Sequence, residues 1–281
     1  MKLAFSSNAF RRHTLVDTIR ILAETGYTGI EIMADVPHAY PPDMGQREVK
    51  EVVQALERHR MEISSINAFE LWAIGDMYHP SWIEPDPLVR SKRVEHTINC
   101  IDLAARLGAR SISTEPGGPL DGMAPEQAIG LFRDGLRRIE EIARKKKVKV
   151  LIEPEPGLMI ETSAQFVEFF KGLDPQVFGL NFDIGHFFCV GEDSAALIVE
   201  LKDYIGHFHI EDIAETREHR HLLPGLGALD FAAVFSALGR IGYQDFVTVE
   251  LYPYEDRPVE AAREAMQFFK SARFGESKPL R

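Results

Sequence analysis

The chain has 281 residues, 45% of them hydrophobic, and a formal net charge of −11 at pH 7. This acidic balance argues against a nucleic-acid partner, because proteins that bind phosphate backbones display a basic surface. The two cysteines, Cys100 and Cys189, are too few for a disulfide framework and indicate a reducing compartment. Since the sequence has neither an apolar leader nor an apolar run of membrane-spanning length, we expect a cytoplasmic protein without a membrane partner.

Strand-like and helix-like patterns alternate along the whole chain. Strands are predicted at residues 3–7, 28–33, 62–66, 110–114, 148–153, 178–183, 205–209 and 246–250. Apolar residues at helical spacing follow each strand, as in Leu15, Ile19 and Leu22 before Gly26. Eight such units in about 250 residues are the size of a closed barrel, so we predict an α/β fold, a single (β/α)8 TIM barrel domain over residues 1–281. An open doubly wound sheet is the alternative, but no glycine-rich phosphate loop follows the first strand.

Four of the predicted strands end in a residue of a type that binds metal ions. These residues are Glu153, Asp183, His209 and Glu250. All strands of a parallel barrel end on the same face, so we expect the four side chains to meet there. Three carboxylates and one imidazole favour Mn²⁺, with Mg²⁺, Co²⁺ and Zn²⁺ as alternatives. A strand-end carboxylate paired with an arginine is the other interpretation of Glu153 and Glu250.

Further polar residues near the strand ends are candidates for substrate binding. They are His186, Glu155, Glu115, Asn67 and Arg217. His186 follows Asp183 by three residues, which places both over one mouth, where His186 contacts a substrate oxygen or a second metal ion. For the acids and the asparagine, the alternatives are a solvated loop acid and a barrel-mouth hydrogen bond with no catalytic role.

The histidines of the second half of the chain differ in position. His207 and His209 alternate along one strand; the deeper His207 is predicted to pack inside the barrel, and His209 to be the ligand. Asp212 either holds the second imidazole nitrogen of His209 or caps the following loop. His219 and His221 belong to a loop, so a mobile polar patch is the favoured interpretation and a second metal site the less favoured one.

Several of these segments together carry a family resemblance. They are residues 26–31 (Gly-Tyr-Thr-Gly-Ile-Glu), residues 104–109 (Ala-Ala-Arg-Leu-Gly-Ala), Glu153, Asp183-x-x-His186, His209-x-x-Asp212, Pro224-Gly225-x-Gly227 with Asp230-Phe231, and Glu250. On these residues, and over nearly its whole length, the chain resembles the xylose isomerase-like TIM-barrel superfamily of sugar phosphate isomerases and epimerases. The resemblance implies that the four strand-end residues bind one divalent ion.

The resemblance also implies catalytic roles. In ketose 3-epimerases of this superfamily, the residues that match Glu153 and Glu250 exchange protons with the substrate on its two faces. The residue that matches His186 contacts a substrate oxygen. The chain departs from that pattern at two positions: the epimerases carry a glutamate six residues after the first ligand and an arginine six residues after the ligand histidine, where this sequence has Met159 and Glu215.

The predicted activity is that of a divalent-metal-dependent sugar isomerase or epimerase, which forms an enediolate from a hydroxy-carbonyl compound. A lyase or dehydratase of a keto-sugar or inosose with the same ligands is the alternative. A DNA-repair hydrolase of the endonuclease-IV type is less favoured, because Glu115 and His219 replace a histidine and an aspartate of its three-zinc motifs. The expected partner is a small carbohydrate, and the candidate assemblies are a homodimer and a homotetramer.

Overall fold

A closed barrel of eight parallel strands forms the centre of the computed structural model, which describes residues 1–272. The strands are Lys2–Ser6 (β1), Gly29–Met33 (β2), Glu62–Asn67 (β3), Ser111–Thr114 (β4), Lys149–Ile152 (β5), Phe178–Asp183 (β6), Ile205–Ile210 (β7) and Phe246–Val249 (β8). Each pairs with the next, and β8 closes the barrel against β1, with Leu3 opposite Val247. The predicted (β/α)8 TIM barrel is confirmed, while residues 273–281 of the predicted domain lie outside the described residues.

Helices on the outside connect the strands. Within the described residues they are Leu15–Thr25 (α1), Gln46–His59 (α2), Pro87–Leu107 (α3), Pro125–Lys146 (α4), Ser163–Phe170 (α5), Ile184–Cys189 (α6), Ser194–Glu200 (α7), Phe231–Arg240 (α8) and Pro258–Ser271 (α9). Short 3₁₀ helices lie in the loops at Ser7–Phe10, Pro41–Asp43 and Tyr252–Tyr254. Helix α1 shows how local chemistry sets the ends: the Thr14 side chain accepts a hydrogen bond from the backbone N–H of Asp17, and Gly26 closes the helix with a φ of 107°.

Two layers of side chains fill the molecule. Between the strands and the helices the core is apolar and aromatic; the rings of Phe132 and Phe169, for example, stack with centroids 4.8 Å apart. Inside the barrel, polar side chains pair with each other. The Nε2 atom of His207 lies 2.9 Å from the Thr248 hydroxyl, so this histidine is packed in the interior, in agreement with its interpretation from the sequence.

The strand ends that matter for function fall close to their predicted positions. Each of the four strands β5 to β8 ends within one residue of the predicted end. The long loop after β3 buries Trp82 completely, and the indole N–H of Trp82 donates to Thr114 at the end of β4 (2.9 Å). No helix in residues 1–272 combines the length and the apolar character that a membrane crossing requires.

Candidate metal centre and substrate cavity

Four buried side chains meet at the C-terminal end of the barrel strands. They are Glu153, Asp183, His209 and Glu250. The Nδ1 atom of His209 lies 2.8 Å from Glu153 Oε1 and 3.5 Å from Glu250 Oε2. It lies 3.9 Å from Asp183 Oδ2, and one ligand atom from each residue falls within 4.8 Å of all the others. The structure therefore brings together all four residues that the sequence predicted as metal ligands.

The backbone of the barrel directs these groups inward. Asp183 ends β6 and begins α6, where its Oδ1 atom accepts a hydrogen bond from the backbone N–H of His186 (2.8 Å). One carboxylate oxygen thus caps the helix. Glu153 and Glu250 directly follow β5 and β8, and their backbone N–H groups donate to the neighbouring strands at 3.1 and 3.2 Å. Each carboxylate is therefore fixed at its strand end.

Glu31 on β2 fixes the ring of His209. Its Oε1 atom lies 2.9 Å from His209 Nε2, so the hydrogen bond that Nε2 donates turns Nδ1 towards the three strand-end acids. A carboxylate behind the second nitrogen is the common support of a metal-bound imidazole. The sequence had offered Asp212 for this role, and the structure contradicts that interpretation. The Asp212 carboxylate instead accepts hydrogen bonds from the backbone N–H groups of Gly225 and Gly227, so it caps the loop.

Two side-chain amides hold Glu250. The Nδ2 atoms of Asn8 and Asn67 lie 2.8 and 3.3 Å from Glu250 Oε1. The other oxygen, Oε2, is therefore the one that faces His209. Asn67, which the sequence proposed as a substrate contact, lines the cavity and also positions this carboxylate.

The chemistry of this group fits a divalent cation. Both nitrogens of His209 face carboxylate oxygens, while Glu153 Oε1 and Asp183 Oδ2 are buried with no hydrogen-bond donor in the described part of the chain. Burial raises the pKa of Glu153 to about 7, against the opposing charge of His209. Burial would lower the pKa of His209, but Glu153 and Glu31 raise it well above its usual value. A divalent ion would supply the missing positive charge, and the unpartnered oxygens are suitable ligands.

A cavity opens at the centre. Its walls combine carboxyl and imidazole groups with the apolar surfaces of Phe69, Met77 and Tyr252. Among residues 1–272, no lysine or arginine lines it. Polar groups facing an apolar wall suit a small polyol, which presents both hydroxyl groups and C–H surfaces.

Three histidines share this cavity. The Nε2 atoms of His186 and His219 are 3.0 Å apart, and the Nδ1 atom of the buried His221 lies 2.9 Å from the backbone carbonyl oxygen of Glu250. The interpretation of His219 and His221 as a mobile surface patch is therefore wrong. The side chain of His221 is 0% exposed and that of His219 is 20% exposed, because their loop folds over the barrel mouth.

Glu155 also faces the cavity. The Tyr78 hydroxyl donates to its Oε1 atom (3.2 Å), and His186 Nδ1 lies 3.3 Å from its Oε2 atom. Burial, followed by the charge of Glu153, raises the pKa of Glu155 well above its usual value. Of its two interpretations from the sequence, the solvated loop acid does not agree with this burial.

Two predicted substrate contacts lie elsewhere. Glu115 is fully buried outside the cavity lining, with Oε1 3.4 Å from Arg93 Nε and 3.3 Å from the backbone N–H of Trp82. Its role is the barrel-mouth hydrogen bond that the sequence offered as the alternative. Arg217 adopts a φ of 60° and places its guanidinium 5.0 Å from the ring centroid of Phe188, away from the cavity. Neither side chain lines the cavity, because packing takes both to other partners.

Other residues at the site were missed. Glu70, Tyr78 and Tyr252 contribute from the loops after β3 and β8, whose conformation depends on tertiary packing and leaves no periodic signal. Glu211 did carry a signal, since it follows His209 by two residues and strand alternation puts both on one face. It is fully buried, with a carboxylate oxygen within 4.8 Å of donor atoms of Asp183 and His221.

The fold and this strand-end centre define the class of TIM-barrel enzymes that carry a divalent-metal site at the barrel mouth. The chain belongs to the xylose isomerase-like TIM barrel family, whose pattern matches residues 19–272. An inosose dehydratase of Geobacillus thermodenitrificans is 25% identical across 92% of this chain and 89% of its own length. An inosose dehydratase of Clostridium perfringens is 23% identical across 92% of this chain and 90% of its own.

Solved structures share the fold. The IolI protein with a bound zinc atom matches with a TM-score of 0.80 and 20% identity, covering 99% of this chain and 100% of that one. The 3-keto-D-glucoside 4-epimerase of E. coli matches with a TM-score of 0.79 and 20% identity, covering 96% of this chain and 99% of that one. At these identities the likeness is one of fold.

Proposed function

We propose that the protein is a divalent-metal-dependent dehydratase of a neutral polyhydroxy ketone. The residues proposed to hold the ion are Glu153, Asp183, His209 and Glu250. The observation that carries the proposal is a third carboxyl group, Glu155, in the same cavity as Glu153 and Glu250. Epimerisation needs a base and an acid at one carbon, whereas dehydration also benefits from a group that delivers a proton to the departing hydroxyl.

The reaction follows from the roles of these acids. A divalent ion at the centre supplies Lewis acidity that stabilises the negative charge of an enolate. Glu153 and Glu250 form the proton-transfer pair, one of which removes the proton next to the ketone. The C–O bond at the adjacent carbon then breaks, a C=C bond forms, and the hydroxyl leaves as water with a proton from Glu155. The Tyr78 hydroxyl and His186 keep Glu155 in place for this step.

The charge of the cavity supports a neutral substrate. Phosphate and carboxylate groups are normally bound by arginine or lysine, and the described lining has neither. Glu70 adds a further carboxyl group to this lining, and burial raises its pKa to about 8, so it offers a hydrogen bond rather than a positive partner for an anionic group. Inosose dehydratases among the relatives support the keto-polyol class. At the two departures from the ketose 3-epimerase pattern, neither Met159 nor Glu215 lines the cavity, so neither replaces the substrate contact of the epimerases.

The test uses the chain stripped of metal and reloaded with Mn²⁺, the ion first predicted from the ligand set, or with Mg²⁺, Co²⁺ or Zn²⁺. Each form is incubated with keto-inositols, ketohexoses and their phosphorylated counterparts. We expect loss of one water by mass spectrometry, and ultraviolet absorption from the new conjugated double bond, with a neutral compound only. Glu250→Gln serves as the inactive control. Turnover confined to phosphorylated compounds would refute the neutral-substrate assignment.

Epimerisation next to the ketone is the second candidate function. The observation that favours it is that Glu153 and Glu250 both line the cavity at one centre, as two-face proton exchange requires. The same incubations in D₂O separate the two reactions. An epimerase yields a product of unchanged composition that carries deuterium at the reacting carbon, whereas a dehydratase yields a product that has lost water.

A further inference from the structure

The cavity holds a fourth carboxyl group that the proposed reaction does not use. Glu70 lines the cavity together with Glu153, Glu155 and Glu250, and it is only 8% exposed. It lies in the loop after β3. The strands β3 and β7 are four positions apart in the closed barrel of eight, so the loops that follow them start on opposite sides of the mouth. Glu70 therefore enters the cavity from the side opposite the loop between β7 and α8.

The backbone around Glu70 is fixed on both sides by buried charged groups. Before it, the Arg93 guanidinium donates to the carbonyl oxygen of Phe69 (2.8 Å). After it, the Asp35 carboxylate accepts a hydrogen bond from the backbone N–H of Trp72. Both Arg93 and Asp35 are fully buried. A side chain on a backbone held in this way keeps one position, which is what a specific contact with a ligand requires.

The carboxyl group of Glu70 is only partly satisfied by the protein. The indole of Trp72 is its hydrogen-bond neighbour, and the guanidinium of Arg11 lies 5.2 Å from the centroid of the Trp72 ring. Burial, followed by the charge of Glu250, raises the pKa of Glu70 to about 8. An indole has one N–H, whereas a carboxyl group has two oxygens, so the indole cannot satisfy the whole group. Glu70 therefore keeps hydrogen-bonding capacity for a ligand in the cavity.

We propose that Glu70 is a specificity-determining residue, which binds one hydroxyl group of the substrate other than the one that leaves. A polyhydroxy ketone presents hydroxyl groups around its whole carbon frame, and a hydroxyl group both donates and accepts hydrogen bonds, so it suits either form of the carboxyl group. A site built to bond a hydroxyl group rejects a compound that lacks it, because the buried polar group is then left unpaired. This role rests on the proposed function, which supplies the class of substrate.

Binding to the metal-loaded protein tests this role without turnover. The Mn²⁺-loaded chain is titrated in a calorimeter with myo-inositol, a neutral polyol, and with its monodeoxy counterparts, each of which lacks one hydroxyl group. At one position, loss of the hydroxyl group should weaken binding to the unaltered protein by about 3-fold to 10-fold. In Glu70→Met, the parent compound and that counterpart should bind alike. Glu70→Gln, whose amide both donates and accepts, should keep most of the difference.

The control and the fallback variant keep the test decisive. Glu57→Ala removes an exposed glutamate of the outer helix α2 and should bind the whole series as the unaltered protein does. Should Glu70→Met not fold, Glu70→Asp takes its place, because it withdraws the same group by one methylene. Retention of the full difference in Glu70→Asp would then refute the contact.

The outcomes separate this role from the reaction. If the difference at one position depends on Glu70 but keto-inositols lose no water, the reaction fails and the binding role stands. If keto-inositols lose water while Glu70→Met binds the series as the unaltered protein does, the binding role fails alone, and the carboxyl group only supports Trp72. Absence of binding by every compound of the series would also overturn the role of Glu70.

Discussion

The carboxylate of Glu31 reaches across the barrel to His209, with Oε1 2.9 Å from Nε2 and both side chains fully buried. The same oxygen lies 3.7 Å from the Nε2 atom of His207, so one acid serves two histidines of β7. The contact joins residues 178 positions apart. It determines which nitrogen of His209 faces the three strand-end carboxylates.

Replacement of Glu31 should weaken metal binding without removing a ligand. We expect Glu31→Gln to lower the affinity for the divalent ion by about 10-fold to 100-fold, because supports behind a ligand histidine typically contribute that much. Competition with a chelating dye measures the affinity. Glu62→Gln is the matched control, since Glu62 lies at the start of β3 and pairs with Lys2 on the surface, 2.9 Å away. Equal affinity in both variants would contradict the assigned role of Glu31.

Glu250→Gln should separate proton transfer from metal binding. Glutamine keeps the shape and one oxygen but is not a base, so we expect a folded protein that retains much of its metal. Exchange of the substrate carbon proton with D₂O, followed by NMR, should slow by at least ~10²-fold. Glu153→Gln should behave alike. Full exchange in both variants would assign the proton transfer to another group, with Glu155 the next candidate.

Arg93 should matter more for stability than its partner Glu115. The buried guanidinium donates to three backbone carbonyl groups and lies 3.4 Å from Glu115. Arg93→Met should therefore lower the free energy of unfolding by about 3–5 kcal/mol in urea titrations. Burial raises the pKa of Glu115 to about 8, so its neutral form prevails at pH 7. Glu115→Gln should therefore lower the free energy of unfolding much less than Arg93→Met does. Similar losses in the two variants would show that Glu115 is ionised.

Two glycines in helices should respond in opposite directions to alanine. A methyl group at Gly185 in α6 would overlap the buried carboxylate of Glu211 and come within 2.8 Å of Ile213. We expect Gly185→Ala to destabilise the protein by about 1–3 kcal/mol. Gly130 in α4 has open space around it, so Gly130→Ala should stabilise by about 0.4–1 kcal/mol. Thermal unfolding of the two variants checks both signs, and a neutral Gly185→Ala would mean that Glu211 moves freely.

His38 should make the protein less stable in mild acid. Burial lowers the pKa of this ring from 6.5 to about 4. The native state therefore binds fewer protons than the unfolded chain between these values, and stability falls as the pH drops from 6.5 towards 4. At pH 5 the loss should be about 2 kcal/mol. Chemical unfolding at pH 7.5 and pH 5 measures it, and His38→Gln should show a smaller loss. An equal loss in that variant would assign the effect to other groups.

The meeting of the four strand-end residues was predictable because their positions follow from regular structure. Once Glu153, Asp183 and Glu250 are recognised at the ends of parallel strands, barrel geometry brings them together whatever the loops do. Glu115 follows a strand in the same way, yet it pairs with Arg93 on α3. No pattern in the sequence predicts that contact.

The partner of His209 shows a second limit of prediction from the sequence. Asp212 is near His209 in sequence and was a plausible partner. Its carboxylate instead accepts hydrogen bonds from four backbone N–H groups of the following loop. Glu31 takes the role from the opposite side of the barrel. The closed tertiary structure selects this partner, whereas local spacing offered Asp212 equally as a support for the histidine and as a loop cap, and only the cap is present.

The hydrogen bond between Asn8 and Glu250 has a consequence for the order of folding. Asn8 follows the first strand and Glu250 the last, so their 2.8 Å contact lies on the seam where the barrel closes, between residues 242 positions apart. Closure of that seam is a long-range event with a high entropic cost, and the centre acquires its final geometry only when it has occurred. An ion bound there would stabilise the pairing of the first and last strands. Release of the ion would therefore report local opening between β1 and β8 before the rest of the chain unfolds.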